Sequence, residues 1–312
     1  MTATPAPAAP ANPLPAPVRA ALLMLGSTLF FGLMVVAVRL AASSLHAFEI
    51  AFFRNFFGLI VALPLLLRHG PGFMRTTQLP RYLFRCVIGI CSMLAGFWAI
   101  AHLPLAQAVS LSYSTPLFVT IAAAALLGEQ VRARRWTAVC LGFIGVLVIV
   151  RPGTAEFSSN AMVAVLAAVL SSIVAIQIKQ LSATEPADRI VIYTTLLWVP
   201  MSLLPAMSVW QWPQGITWLW LVAAGVLGTG GHMLWTRALK LGEVSALTPI
   251  SFMQLPLVVV FGWWLFGEPL DQWTLIGAGI IFGANAYIAH REAVLARRSA
   301  SEAPSSAAKP GE

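Results

Sequence analysis

The sequence has 312 residues, of which 59% are hydrophobic and only 10% are charged, and its mean hydropathy is +0.82. Because an average soluble domain carries about a quarter charged residues, this composition excludes a water-soluble fold and predicts an all-α membrane protein. The net charge of +8 would suit a nucleic-acid partner. In a membrane chain, however, basic residues gather in cytoplasmic loops, so their positions decide between the two interpretations.

Long runs without Asp, Glu, Lys or Arg identify the membrane spans, because a hydrocarbon layer about 30 Å thick needs roughly 20 apolar residues of helix. Splitting the chain at charges, prolines and turn residues predicts ten transmembrane helices. They lie near 18–40, 48–68, 80–102, 104–127, 134–150, 159–180, 188–207, 216–239, 243–266 and 272–291. Residues 1–17 and 292–312 are interpreted as disordered tails from their small, polar and Pro-containing composition. The three cysteines fall inside helices without metal-ligand spacing, which indicates packing roles: Cys86, Cys91 and Cys140.

The Lys and Arg residues favour one side of the membrane. With a cytoplasmic N-terminus, all 19 except Arg39, Arg54 and Arg151 fall on the inside. This is the bias of the positive-inside rule, and it accounts for the basic composition without nucleic acid. The sequence therefore predicts a multi-pass protein of a bacterial-type inner membrane, with both termini in the cytoplasm and the lipid bilayer as its large partner.

An internal repeat covers most of the chain. Residues 103–130 and 241–269 each contain a short polar turn, a long apolar helix with a proline, and then a Gly-Glu pair. Because each half has five helices, an odd number, the second copy must enter the membrane from the opposite side. The prediction is two inverted five-helix repeats, 18–151 and 159–291, joined by the linker 152–158, with alternating access as the functional consequence. The residues assigned structural roles are Pro116, Gly128, Glu129, Pro256, Gly267 and Glu268.

The repeat resembles the EamA-type proteins of the drug/metabolite transporter superfamily over roughly residues 18–290. The resemblance is carried by Ala-His-Leu-Pro-Leu-Ala-Gln-Ala at 101–108, Leu-Gly-Glu at 127–129, Gly-Phe-Ile-Gly at 142–145, Arg-Pro-Gly at 151–153 and the second Gly-Glu turn. The Phe-Phe-Arg-Asn segment at 52–55 is similar to the branch of S-adenosylmethionine-uptake-like proteins. The resemblance implies a transporter. It does not imply one substrate, because the family moves amino acids, nucleotide sugars, cofactors and vitamins.

Arg54 is the foremost candidate for substrate recognition. A cation inside an apolar helix costs ~2.5–3.5 kcal/mol on insertion scales and usually faces a cavity or a partner. We expect it to bind a substrate carboxylate or phosphate. The alternatives are that it extends to the membrane interface or pairs with Glu49.

The helix before Pro116 carries Tyr113, which we place in the cavity together with Gln254 at the equivalent position before Pro256. Its neighbouring hydroxyls more commonly bond to carbonyls of their own helix. Trp and His residues elsewhere would suit a planar or cationic substrate group, with space filling as the alternative. The candidate substrate-binding residues are Arg54, Trp98, Gln107, Tyr113, Gln177, His232, Trp235 and Gln254.

The expected function is secondary transport of a small polar organic metabolite, with an amino acid or its derivative favoured. S-adenosylmethionine, riboflavin or nucleotide-type metabolites are the alternative substrates, and a non-transporting accessory or lipid-flipping subunit is the alternative class. No metalloprotease, paired-carboxylate or Ser/His/Asp pattern supports an enzyme, and no Walker loop supports coupling to ATP. We expect no cofactor and no metal, and a monomer or weak homodimer.

Overall fold

The computed structural model describes residues 15–69, 75–128, 133–241, 247, 250–269 and 271–302. Within these ranges the side chains of residues 65, 66, 68, 69, 127, 134, 135, 187, 188, 240 and 291–302 are not described. The described residues contain eleven helices with defined bounds and no strand. The helices are α1 (Ala16–Ala41), α2 (Ala47–His69), α3 (Leu79–His102), α4 (Leu105–Ser112), α5 (Thr115–Leu127), α6 (Ala133–Val150), α7 (Ser159–Ser182), α8 (Ala187–Met207), α9 (Thr217–Leu241), α10 (Gln254–Phe266) and α11 (Gln272–Glu302).

Among the described residues, six helical stretches are long and apolar enough to cross a membrane: Ala16–Ala41, Ala47–Pro64, Leu79–His102, Leu105–Leu126, Ser159–Ser182 and Arg189–Met207. Two shorter apolar helices accompany them, Trp136–Val150 and Gln254–Phe266. Large apolar side chains project outward at helical spacing, including Leu22, Leu25, Leu29, Leu141, Ile144 and Leu147. An outer surface of this kind is compatible with lipid and not with water, so the chain is a multi-pass membrane protein.

Two of the helices predicted as single continuous spans are interrupted in the structure. The stretch 104–127 is broken into α4 and α5 at Tyr113 and Ser114, and α10 is preceded by a turn at Phe252 and Met253. The prolines explain the breaks, because Pro116 lies in the first turn of α5 and its ring cannot continue the hydrogen-bond ladder of α4. The last helix, α11, runs to Glu302 and not to the predicted end at 291. Residues 292–302 are rich in Ala, Glu, Leu and Arg, which favour continued helix.

Helices of the two halves pack against each other in matching pairs. α1 packs on α9 and α3 packs on α7, while α2 packs on α8 and α6 packs on α11. The α6–α11 crossing is especially close: a Cβ on Gly145 would lie 2.7 Å from the carbonyl oxygen of Gly277, and a Cβ on Gly277 would lie 2.6 Å from that of Gly145. Glycine is needed at both positions because the two backbones touch.

Charged residues join several helices at one end of the bundle. Nη2 of Arg39, in the last turn of α1, lies 3.2 Å from Oε1 of Glu268, and the main-chain N–H of Leu105 donates to Oε2 of Glu268 at 2.7 Å. Arg151, just after α6, pairs with Asp271, just before α11. We call this the Glu268 end.

Gly128 and Gly267 end their helices in the same left-handed conformation, with φ of 65° and 62°. α4 begins beside Glu268, and the helical residues 105–127 then span roughly 34 Å at 1.5 Å per residue before reaching Gly128. The two glycines therefore lie at opposite ends of the bundle.

Candidate substrate-binding site

The two helix breaks meet in the interior of the bundle. The Tyr113 hydroxyl donates to the carbonyl oxygen of Ser251 at 2.9 Å and lies 3.4 Å from Oε1 of Gln254. The ring of Tyr113 packs on that of Phe252 with centroids 4.7 Å apart. The main-chain carbonyl oxygen of Tyr113 accepts a hydrogen bond from Nδ2 of Asn285 at 2.8 Å. The structure thus brings together two residues that the sequence predicted for the site, Tyr113 and Gln254. The first helix break contacts the second through Tyr113.

The hydroxyls around the first break are mostly used within their own helix. Ser112 donates to the carbonyl of Val109 at 2.7 Å and Ser114 to that of Leu111 at 2.6 Å. The carbonyl of Ser112, which receives no main-chain bond from Pro116, accepts from the Thr115 hydroxyl at 2.8 Å. These local bonds fit a packing role.

Arg54 is buried, with 8% of its surface exposed. Its Nη1 donates to Oδ1 of Asn55 at 3.0 Å, and Nδ2 of Asn55 donates to the Ser202 hydroxyl on α8 at 3.2 Å. A Cβ on Gly228 would lie 2.9 Å from Nε and Nη2 of Arg54, so α9 makes room for the guanidinium by having glycine there. Glu49 does not pair with Arg54 among these contacts, because its carboxylate accepts from the main-chain N–H groups of His46 and Gln211.

His232 and Trp235 share one face of α9 with Gly228, at spacings of four and seven residues. Both side chains are exposed, and the His232 ring meets Phe31 of α1 edge to face at 5.0 Å. His232 and Trp235 therefore lie one and two turns along α9 from the glycine that faces Arg54, with exposed side chains.

Arg85 of α3 is the residue that sequence reasoning missed, since it was counted with the cytoplasmic loop. It is only 6% exposed, and its Nη1 contacts the hydroxyl of Thr194 on α8. The signal was available in its position, because Arg85 lies six residues inside α3, which starts at Leu79, and thus deeper in the helix than Arg81. We refer to Arg54, Arg85 and His232 as the basic cluster.

The basic cluster is electropositive. Among the described residues, no carboxylate forms an ion pair with Arg54 or Arg85, and Nε of each has no hydrogen-bond partner. A buried charge without a counter-charge costs several kcal/mol of unfolding free energy. Such a cost is typical of a site where an anion supplies the missing charge.

Trp98 lies at the Glu268 end and apart from the basic cluster. Its Nε1 donates to Oδ1 of Asn160 at 3.1 Å, and its ring stacks on His102 with centroids 4.0 Å apart. The indole N–H is therefore used by α7, and the ring packs on a residue of its own helix, α3.

Gln107 also lies at the Glu268 end, where its Nε2 donates to the carbonyl of Ile149 at 3.3 Å. Together with Glu268 and Asp271 it lines a cavity of about 20 Å³, which is large enough for a water molecule and too small for a metabolite. Gln177 on α7 has a buried Oε1 without a partner among the described residues. The structure does not bring Gln107 or Gln177 into contact with the basic cluster.

The residues assigned structural roles occupy helix ends. Gly128 and Gly267 are the left-handed C-caps of α5 and α10, and Pro116 and Pro256 lie in the first turns that follow the breaks. Glu268 holds the N-terminus of α4 and not that of the following helix, as its contacts with Leu105 and Arg39 show. Glu129 lies outside the described residues.

Known proteins share this architecture. A solved structure of a protein without a functional description superposes with a TM-score of 0.61 at 22% sequence identity, covering 89% of this chain and 98% of the other. This likeness concerns the fold alone.

Relatives with similar sequences are named as transporters. The chain is 32% identical over 289 residues to a riboflavin transporter of Vibrio cholerae, covering 90% of this chain and 96% of the relative. It is 30% identical to an S-adenosylmethionine uptake transporter of Rickettsia felis, with 80% and 84% covered. It is 31% identical to a pseudopaline exporter of Pseudomonas aeruginosa, with 80% and 89% covered. The EamA-like transporter family matches twice, at residues 18–151 and 158–289. The chain therefore belongs to the EamA-like transporter family of the drug/metabolite transporter superfamily.

Proposed function

We propose that this chain is a secondary carrier that moves a small polar organic metabolite across a bacterial inner membrane by alternating access. Its ten transmembrane helices form two inverted five-helix repeats, with both termini in the cytoplasm. The observation that carries the proposal is the pair of buried arginines, Arg54 and Arg85, inside a two-repeat transporter fold whose two helix breaks meet in the interior. Discontinuous helices near the bilayer midplane are where carriers with inverted repeats place their substrates.

The inversion is supported by the opposite positions of Gly128 and Gly267, which end equivalent helices in equivalent conformations. It is also supported by the loop charges. The loop after Gly128 contains Arg132, whereas the one after Gly267 contains Asp271 and no cation. The positive-inside rule assigns the first loop to the cytoplasm and the second to the outside.

The packing of the bundle supports alternating access with the outside closed. At the Glu268 end, two buried hydrophobic clusters join helices of both halves. One cluster contains residues of α1, α2, α3 and α9, and the other contains residues of α3, α4, α6, α7 and α11. At the opposite end the buried clusters are smaller, and each joins two or three neighbouring helices. This arrangement corresponds to a carrier that is sealed outside and accessible from the cytoplasm.

An amino acid or its derivative is the favoured substrate, because a carboxylate would satisfy the Arg54 guanidinium. Riboflavin is the second candidate, favoured by the riboflavin transporter that is 32% identical over nearly the whole chain. S-adenosylmethionine is less well suited, since two unpaired guanidinium groups oppose its sulfonium charge. Among the described residues the membrane interior offers no carboxylate for proton coupling, so uniport, exchange or coupling through His232 are the candidate mechanisms.

The test is uptake into proteoliposomes by the wild-type protein, Arg54→Ala and the control Arg75→Ala, whose side chain is exposed before α3. A lost charge-assisted hydrogen bond is worth about 1.5–3 kcal/mol, so we expect Arg54→Ala to raise KM roughly 10- to 100-fold at unchanged expression. Transport by Arg54→Ala at the wild-type level would remove Arg54 from the site. Stabilisation of the purified protein by lipid headgroups, with no transport or stabilisation by any metabolite, would favour a lipid-flipping or accessory subunit.

A further inference from the structure

We propose that Asn55 is a positioning residue, which orients the Arg54 guanidinium for an anionic substrate group while leaving the positive charge of Arg54 uncompensated. This inference rests on the proposed carrier function and specifies how its site recognises charge. It requires that Asn55 accept a hydrogen bond from Arg54 without carrying a negative charge, and that a further residue hold the Asn55 amide in place.

A chain of three hydrogen bonds runs from Arg54 to the main chain of α8. Nη1 of Arg54 donates to Oδ1 of Asn55 at 3.0 Å, and Nδ2 of Asn55 donates to the Ser202 hydroxyl at 3.2 Å. The Ser202 hydroxyl donates in turn to the carbonyl oxygen of Trp198 at 2.6 Å. Arg54, Asn55 and Ser202 are buried, with 8%, 2% and 0% of their surfaces exposed. Because little water reaches these groups, the bonds fix the side of the guanidinium that faces Asn55.

The direction of each bond follows from the chemistry of its partners. A guanidinium has donors only, so the Asn55 oxygen must face Arg54 and the Asn55 NH2 group must face Ser202. An aspartate at this position would also accept from Arg54, but it would add a negative charge beside the guanidinium. A leucine of similar size would accept no hydrogen bond. Asparagine therefore orients the guanidinium without neutralising it.

Arg151 shows how the same chain holds an arginine by carboxylates. Nη1 of Arg151 pairs with Glu156, and Nη2 pairs with Asp271, so both terminal nitrogens face a negative charge. Among the described residues, Arg54 has no carboxylate partner, and the acceptor that it contacts is a neutral amide. A cation within the membrane that lacks a counter-charge is costly and usually lies on a substrate pathway.

The anchor of the Asn55 amide lies in the second half of the chain. Arg54 and Asn55 belong to α2, whereas Ser202 belongs to α8, and these two helices pack together. Helix α9, also from the second half, contacts the guanidinium as well, since a Cβ on Gly228 would lie 2.9 Å from Nε and Nη2 of Arg54. The orientation of the guanidinium therefore depends on both halves, and an anion bound to it responds to their relative position.

The experiment compares anion binding by the purified full-length wild type and Asn55→Asp through ligand-induced changes in Tm. Each probe pair differs in one anionic group: glutamine with its α-amide, nicotinate with nicotinamide, and riboflavin 5′-phosphate with riboflavin, all at constant ionic strength. A ligand of the folded state raises Tm by mass action, so the concentration dependence gives half-saturation. In the wild type we expect the anionic member of at least one pair to reach half-saturation at a concentration at least ~10-fold below that of its partner.

Asn55→Asp supplies an internal carboxylate that competes with the anionic group of the ligand. We expect it to raise the half-saturation concentration of the anionic member at least ~10-fold and to change that of its partner by less than ~2-fold. The ligand-free Tm is expected to equal or exceed that of the wild type, because the carboxylate accepts from Arg54 and the Ser202 hydroxyl can turn to donate to it. The matched control is Asn160→Asp, where Oδ1 accepts from the indole N–H of Trp98, and it is expected to bind both members as the wild type does.

Asn55→Ala takes the place of Asn55→Asp should the carboxylate prevent folding. It removes the hydrogen bond to Arg54 without adding a charge. We expect a lower Tm and a half-saturation concentration raised ~3-fold or more for the anionic member alone. A merely structural role for Asn55 would lower Tm and shift both members of a pair alike.

The inference is overturned if the wild type binds no anionic probe more tightly than its partner, or if that preference survives the substitution of Asn55. It is also overturned if the substitution weakens both members of a pair equally. Uptake into proteoliposomes separates these results from the proposed function. Uptake that is lost in Arg54→Ala but retained in Asn55→Asp would keep the carrier and reject the positioning role of Asn55.

Discussion

The position of Arg54 depends on a glycine in the facing helix. A Cβ at Gly228 would lie 2.8 Å from the sulfur of Met34 and 2.9 Å from the Arg54 guanidinium. We therefore expect Gly228→Ala to displace the guanidinium and to reduce transport at least ~10-fold, although alanine favours helix by about 0.5–1 kcal/mol. The control is Gly283→Ala on α11, where an added Cβ meets no atom within 4 Å.

The measurement is initial uptake rate together with Tm for both variants. Gly283→Ala is expected to transport normally with an equal or higher Tm. Full transport by Gly228→Ala would show that substrate recognition does not need Arg54 in its observed position.

Tyr113 connects the two helix breaks through one hydroxyl. Removing that hydroxyl in Tyr113→Phe leaves the carbonyl of Ser251 without this donor, and the expected loss of unfolding free energy is about 1–2 kcal/mol. The matched control is Tyr287→Phe, because Tyr287 is 42% exposed on the same bundle. Equal chemical denaturation midpoints for both variants would contradict a structural role for the Tyr113 bond.

At the residue scale, the sequence predicts contacts between residues that occupy equivalent positions in the two repeats. Tyr113 and Gln254 were paired because each precedes the proline of its repeat, and they are in contact. Arg85 was missed because a charge near a helix end is assigned to the adjoining loop. Its burial depends on α8, whose Thr194 is distant in sequence, and no local pattern reports such packing.

The N-terminus of α4 is held by a carboxylate from the other half of the chain. Glu268 accepts from the main-chain N–H of Leu105, where the partial positive charge of the helix terminus favours an anion. It also pairs with Arg39, whose guanidinium lies 5.9 Å from the centre of the Phe266 ring. These contacts hold the ends of α1, α4 and α10 together at the Glu268 end.

Reversing one charge of this pair is expected to open the Glu268 end. Arg39→Glu places two carboxylates together, so uptake should fall and a cysteine introduced beside the pair should become more reactive to an impermeant maleimide. The double variant Arg39→Glu/Glu268→Arg restores the attraction and is expected to recover part of both properties. No recovery in the double variant, with both proteins folded, would contradict a role for the pair in closure.

The start of α11 gives a prediction for pH. Burial raises the pKa of Asp271, but hydrogen bonds from Thr274 and the charge of Arg151 outweigh it and hold that pKa below its usual range. The charged form is therefore favoured by folding, and its stabilisation is present above pH ~4 and lost as pH falls through the lowered pKa. Asp271→Asn is expected to lower Tm at pH 7 and to reduce the fall in Tm between pH 5 and 3.

The control for that measurement is Asp271→Ala, which removes the helix cap as well as the ion pair. Asp271 accepts from the main-chain N–H of Thr274 at 3.0 Å, and such a cap is worth ~1 kcal/mol. We therefore expect Asp271→Ala to be the less stable of the two variants. An unchanged pH profile in both would show that this carboxylate does not contribute to acid sensitivity.

At the element scale the hydrophobic runs predict helices whose observed bounds agree within a few residues, because spans must match the bilayer thickness. The breaks before Pro116 and Pro256 were not predicted. A proline is tolerated within many membrane helices, and whether it kinks or ends a helix depends on what the neighbouring helices contribute. Here the two breaks pack on each other through Tyr113 and Phe252, a tertiary contact between residues far apart in sequence.

For the whole molecule, the repeat was the most informative feature of the sequence. It predicted two related halves, and the family matches both segments of the chain. It did not predict the contacts that join the halves at the Glu268 end. Contacts such as that of Arg39 with Glu268 depend on tertiary packing, which no local sequence pattern reports.

The inverted arrangement has a direct test in sided labelling of single cysteines. The background is a cysteine-free variant lacking Cys86, Cys91 and Cys140, and the reporters are Ala133→Cys at the start of α6 and Pro269→Cys after Glu268, both at exposed positions. In intact cells, an impermeant maleimide is expected to label Pro269→Cys, and Ala133→Cys should react only after the membrane is permeabilised. Labelling of both positions from the same side would contradict the inverted repeats and the alternating-access carrier built on them.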